Sequence, residues 1–365
     1  GISVTIKPIA AFDTIAQRVL YGLNFMYSEF APVESDKADE QAQRKLHGLM
    51  GRIIDRLYET PALLGLAVDG DRAYEWYAVN NTDPALDQVY KSIFKSLYEF
   101  YKFLYIAFLR GEAGGNSLSV GNAVLKENKT GYRPQYKLLL NEAGIGVEKG
   151  GAETVVTAEN DILQSLRLLA EKVPVNVNPW TPYALMNFAS CSFTGDFSFP
   201  LPRLDAVAGL DGLLLEIQDR CLKSGYGRTI QCSFDAAGFD FGIALRNRVG
   251  GFLFGYNPRK RWKFYFGSLN SIGVKAMLED FENLDPDLQK YLIGLCKACN
   301  GCLGCTKGGR NKIFAVKVRH DGSEYALCPD NYARHNWETM NRDLAEVLFK
   351  YHAAQEIYGV DWKKK

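Results

Sequence analysis

Four cysteines stand at strict three-residue intervals, Cys296, Cys299, Cys302 and Cys305, in a chain that has eight cysteines in all. Thiols so closely spaced leave the local backbone few choices. Either they converge on one point, or they pack as small hydrophobes at a helix end. The residues before them, "LDPDLQKYLIGLCKAC", predict a helix over 286–299 with Asp285 as N-cap and Pro286 in the first helical position. Its apolar stripe runs Leu288, Leu292, Leu295, Cys299, which taken alone makes Cys299 a core thiol. The residues that follow break that reading. "CNGCLGC" is C-x-G-C twice, overlapping at Cys302, and Asn300-Gly301 is a natural helix stop. Gly301 and Gly304 each precede a cysteine, where a tight turn swings backbone N–H groups toward a thiolate. Structural zinc sites use such turns, because sulfur ligands at ~2.3 Å must converge tetrahedrally from a short span.

A fifth thiol follows from strand register. "KIFAVKVRHDGSEYALC" has Asp321-Gly322 as a two-residue hairpin turn. Pairing then sets His320 opposite Ser323, Arg319 opposite Glu324, Val318 opposite Tyr325 and Ala315 opposite Cys328. Phe314, Val316, Val318, Tyr325 and Leu327 share the apolar face, while Cys328 lies on the other with Lys317 and Arg319 and returns near Cys305. The expectation is one zinc held by four of Cys296, Cys299, Cys302, Cys305 and Cys328, with Cys296 the first to be left out because it falls inside the helix. An iron–sulfur cluster and a group of reduced thiols without metal are the alternatives, the latter including a Cys302–Cys305 disulfide. His320, at the hairpin tip, and His335, in the irregular polar stretch "NYARHNW", are possible substitute ligands. His47 and His352 read as ordinary helix residues.

At 365 residues the chain exceeds the usual size of one core, so two domains are expected. The proline-rich "KVPVNVNPWTP", residues 172–182, marks the boundary between an N-terminal helical and β-hairpin domain, 1–175, and a C-terminal α+β domain, 176–365. In the first, helical periodicity covers 12–31, 38–58 and Asp87 to Arg110, with aromatics at 94, 98, 101 and 105 as a core stripe. Residues 117–157 read as strands broken by Gly and Asn turns, and 158–172 as a helix capped from "TAEND". The second half predicts a helix at 205–223 and a meander over 229–235, 239–247, 250–256 and 262–267. Helices at 270–282 and 338–357 then flank the cysteine helix and its hairpin. Strands followed by helices argue for an α+β fold with an antiparallel meander.

Closing the meander through 257–261 sets Tyr256 opposite Trp262, Phe254 opposite Phe264 and Phe252 opposite Phe266, so six aromatics share one face. The joining stretch "YNPRKRWKFYF" adds Arg259, Lys260, Arg261 and Lys263, a mixture of cations and rings that single-strand nucleic-acid binders use. Its simpler reading is a solvated turn between strands whose aromatic face is covered. The whole chain gives no electrostatic pull toward nucleic acid or anionic lipid, since 43 basic residues balance 42 acidic ones. "GIGVEKGG", residues 144–151, fails the dinucleotide fingerprint, because Lys149 stands where a glycine is needed and no helix follows. The uncharged run "FLYIAFL" at 103–109 is too short to span a bilayer, which needs ~20 residues. Reduced thiols at metal spacing, with no leader segment in view, fit the cytoplasm.

The stretches "FPLPRLDAVAG", "VGGFLFGYN", "GIGVKAMLEDFENL", "CNGCLGCTKGG" and "EYALCPD" give the region 176–358 a resemblance to a group of uncharacterised bacterial proteins with a cysteine-rich segment and a following hairpin. That resemblance implies no activity. The residues themselves favour a non-enzymatic protein that binds or senses a small molecule or a partner around a structural zinc. A nucleic-acid regulator using loop 256–266, or an iron–sulfur redox protein, is the alternative.

Overall fold

The computed structural model describes residues 15–64, 84–173, 182–195, 199–234, 239–258, 264–270, 273–296, 315–329 and 334–359. They form an α+β fold of helices and antiparallel sheets. The residues group into two compact units. One holds Gly1–Pro200, Cys232–Phe241 and Tyr256–Lys263; the other holds Leu201–Gln231, Gly242–Gly255 and Phe264–Lys365. No helix among the described residues is long and apolar enough to cross a membrane.

In the first unit, α1 (Ile15–Met26), α2 (Glu40–Glu59) and α3 (Pro84–Arg110) supply most of the core. Asp39 starts α2 by accepting a 2.8 Å hydrogen bond from the Ala42 N–H, and Leu46, Met50, Ile53 and Leu57 form its buried stripe. The apolar run in α3 is buried on every side: Phe103, Leu104, Ile106, Ala107 and Phe108 lie within about a per cent of full burial. A helix apolar all round belongs in a protein interior.

The strand reading of 117–157 needs correction. β2 (Ser117–Gly121) is followed by two short helices, α4 (Asn122–Glu127) and α5 (Tyr136–Glu142), before β3 (Gly146–Lys149) and β4 (Glu153–Thr157). Tyr136, Leu139 and Leu140 explain α5, because spacing of three and four residues puts all three into the core. With β1 (Glu112–Gly114) the strands form an antiparallel sheet in the order β1-β2-β4-β3. α6 (Asn160–Glu171) starts at Glu159 with no side-chain capping bond, so "TAEND" does not give the expected cap. α2 packs on α1, α5 and α6, and α3 on α6 and on α7 (Pro182–Ala189).

The second unit opens with a break where one helix is expected. α8 (Leu201–Ala208) and α9 (Leu213–Lys223) are separate because Asp205 turns its carboxylate to the next helix start. That carboxylate accepts from the N–H groups of Gly212 (2.6 Å) and Leu214 (2.8 Å), and the turn needs Gly212 at φ 85°. The meander β5 (Gly227–Phe234), β6 (Phe239–Arg246), β7 (Gly250–Tyr256) and β8 (Phe264–Asn270) lies close to the expected bounds. β8 runs on through Asn270, so the next helix, α10 (Val274–Glu279), begins later and gives way to a 3₁₀ turn at Phe281–Asn283.

The hairpin β9 (Val316–His320) and β10 (Ser323–Leu327) has the register read from the sequence, with Ser323 opposite His320 and Tyr325 opposite Val318. Asp321 (φ 47°) and Gly322 (φ 76°) both take the left-handed conformation that a two-residue turn of matching twist requires. "NYARHNW" is less irregular than it reads. Arg334–Trp337 forms β11 on the edge of the sheet, pairing His335 with Ser268 and Trp337 with Phe266, so the order is β11-β8-β7-β6-β5.

The last helix, α12 (Arg342–Tyr358), has two buried faces. One carries Phe349 and His352 onto Phe252 of the sheet, with ring centroids 4.8 and 4.9 Å away. The other carries Tyr351 and Ala354 into a core with Met277, Leu278, Val318 and Leu327. His352 is fully buried; its Nε2 lies 3.0 Å from the Ser268 hydroxyl and its Nδ1 has no hydrogen-bond partner among the described residues.

Candidate metal centre

The cysteine segment is approached by α11 (Pro286–Leu295). Asp285 caps it, accepting from the Asp287 N–H at 2.9 Å, and Pro286 occupies the first turn as the sequence indicates. Leu288, Leu292 and Leu295 bury the stripe. Lys350 of α12 reaches Asp285 (3.0 Å) and Asp287 (2.7 Å), and its ammonium holds the Asp285 carboxyl below the usual range. Gln289 donates to the carbonyls of Phe281 (2.9 Å) and Leu284 (3.1 Å), which fixes the loop before the helix.

The helix ends earlier than its periodicity predicts. Leu295 is its last residue and Cys296 is the C-cap, in an extended conformation (φ −84°, ψ 116°), with its N–H still bonded to the Leu292 carbonyl at 2.9 Å. The reason given for leaving Cys296 out of a ligand set, that it sits inside the helix, therefore fails. Cys296 lies in the core that also holds Val318 and Leu327, and Cys328 directly follows the last residue of β10. Both cysteines are free thiols, the first buried and the second half-buried. Burial first, and the nearby Cys328 second, push the Cys296 thiol up to about 12. A helix end and a hairpin end thus bring together two thiols that are distant in sequence. Left alone, Cys296 is a neutral thiol in an apolar setting; a soft divalent cation would reverse that by favouring the thiolate.

Cys299, Cys302 and Cys305 lie outside the described residues, and among the described residues no group of three or more His, Cys, Asp or Glu side chains converges. The other sequence candidates part ways. His320 is half-buried, 3.3 Å from the Asp321 carboxylate and edge-on to the Phe281 ring. His335 has its backbone in β11. Arg259, Lys260, Arg261 and Lys263 also lie outside the described residues, as does Trp262. The remaining five of the six aromatics, Phe252, Phe254, Tyr256, Phe264 and Phe266, are all buried, so they form no exposed stacking platform.

Sequence reasoning missed a cavity of about 630 Å³ beside this centre, formed by α11, β11 and α12. Leu295, next to Cys296, lines it together with Tyr291, Trp337 and Val347. The Tyr291 hydroxyl is buried there without a hydrogen-bond partner among the described residues. No periodicity announces such a cavity, because three of the four residues of β11, Arg334, His335 and Asn336, are polar with weak strand preference. No family model, no curated protein and no solved structure matches the chain.

Proposed function

We propose that this chain is a non-enzymatic protein that binds or senses a small molecule or partner, with its C-terminal unit tied together by a structural zinc. Four of Cys296, Cys299, Cys302, Cys305 and Cys328 would be the ligands, and the early helix end favours counting Cys296 with Cys328 among them. The observation that carries this reading is that Cys296, at the end of α11, lies in one core with Leu327, the residue before Cys328 at the end of β10. Three further cysteines follow within nine residues of Cys296. All-thiolate ligation would leave no open position for water or substrate, unlike catalytic zinc. A two-stranded ribbon is marginal alone, so a metal joining it to a helix end would add directly to folding. The cavity beside Leu295, with its unpartnered Tyr291 hydroxyl, supports the binding half of the reading. The compartment that suits such thiols is the reducing cytoplasm.

Chelation tests the structural role. Excess chelator should lower the thermal midpoint of the full chain and expose the Cys296 and Cys328 thiols to alkylation, and added zinc should restore both. An unchanged melt after the metal has been stripped would mean that it does not hold the fold.

A further inference from the structure

The end of α4 contains a conformation that its sequence does not favour. Asn128 closes the helix; the Lys129 N–H bonds to the Lys126 carbonyl and the Thr130 N–H to the Leu125 carbonyl, both at 2.9 Å. This helix stop places Lys129 in the left-handed region, at φ 52°. Glycine takes that position without strain, whereas a lysine there is strained by its Cβ. The lysine side chain lines a cavity of about 590 Å³ in the first unit.

Four cations line that cavity: Lys126, Lys129, Arg133 and Lys149. The one carboxylate in its wall, Glu99, is taken up by an ion pair with Arg133. The three lysines have no ion pair among the described residues. A further lysine, Lys102, is buried behind them, with its ammonium 3.5 Å from the Lys129 carbonyl. Burial holds Lys102 below the usual lysine range, Glu99 opposes that, and Lys129 adds to it, so the positive charges repel one another. The Thr130 hydroxyl in the same wall is buried and has no hydrogen-bond partner among the described residues. Concentrated positive charge in a concave site focuses the field on whatever anion enters. The rings of Tyr132 and Tyr136, with centroids 6.3 Å apart, form an aromatic border.

We propose that this cavity binds a small molecule carrying two or more phosphate-type negative charges, with Lys126, Lys129 and Lys149 neutralising them and Thr130 donating to an oxygen. Tyr132 is placed to cover a planar group on an organic phosphate. The proposal rests on the reading of the chain as a binding protein and supplies a ligand class for it. It is independent of the metal, whose ligands belong to the other unit.

Titration calorimetry of the full chain with inorganic pyrophosphate, adenosine diphosphate and adenosine tests it. At low salt both anions should bind and adenosine should not, with affinity falling as salt is raised. Binding by both anions alike points to free phosphates as the source, and a preference for the nucleotide lost in Tyr132→Leu points to an organic phosphate. The decisive variant is Lys129→Gly, which relieves backbone strain while removing one cation. Its thermal midpoint should stay the same or rise, and its affinity for the anions should fall about fivefold or more. Failure of both anions to bind the natural chain, or equal binding by Lys129→Gly, would overturn the assignment. Neither result would touch the chelation experiment, so the two readings fail separately.

Discussion

Lowering the pH from 7 to 4 should destabilise the second unit by on the order of 3 kcal/mol through one residue, His352. The ring is fully buried between α12 and the sheet, and burial lowers its pKa from 6.5 to about 3. The Ser268 hydroxyl meets its Nε2, and among the described residues none accepts a hydrogen bond at Nδ1, so an imidazolium there would leave one donor unmet. Between about pH 6.5 and pH 3 the unfolded chain binds a proton that the folded chain refuses. Stability from this group is therefore complete above pH 6.5 and falls as pH falls, by about 1.4 kcal/mol per unit, until it levels off near pH 3. His352→Gln keeps a hydrogen-bonding side chain and cannot titrate, so denaturant unfolding of this variant should show a much flatter acid limb. His47, also lowered by burial, remains to titrate and leaves a residual slope. An acid limb as steep as that of the natural chain would show that His352 does not govern it.

The second large effect is expected from Cys328→Ser. As a half-buried thiol with no further role, Cys328 would tolerate serine within about ±0.5 kcal/mol, like other changes outside the core. As a ligand of a structural zinc, its loss should cost about 3 kcal/mol or more, since the binding energy of such a metal is folding energy. Cys302→Ser, at the residue shared by both C-x-G-C turns, should behave alike. Cys296→Ser is less diagnostic, because burying a hydroxyl in an apolar core destabilises with or without a metal. Urea unfolding of the three variants separates the cases; a small loss for both Cys328→Ser and Cys302→Ser argues for thiols that merely sit together.

What the sequence disclosed depended on how local the determining physics is. The hairpin was legible to the residue, because Asp321-Gly322 fixes the turn and period-two alternation fixes which face is apolar. The start of α11 was legible for the same reason: Asp285 and Pro286 act within one turn. Its end was not, because periodicity carries on through Cys299 while the chain leaves the helix at Cys296 to meet the core around Val318 and Leu327. The break between α8 and α9 escaped because Asp205 caps a helix that starts several residues later. β11 is an edge strand whose pairing partner, β8, is distant in sequence, and its polar residues carry no alternation to read. The cationic cavity joins α3, the end of α4 and the β3–β4 turn, so its lysines look scattered until the fold gathers them.

The zinc is tested most directly by counting metal. Elemental analysis of the full chain, purified without chelator, should find one zinc per molecule, and Cys328→Ser purified in parallel should have lost it. No stoichiometric metal in the natural chain, or the same zinc content in the variant, would contradict the account, and iron in place of zinc would make the centre a redox cluster.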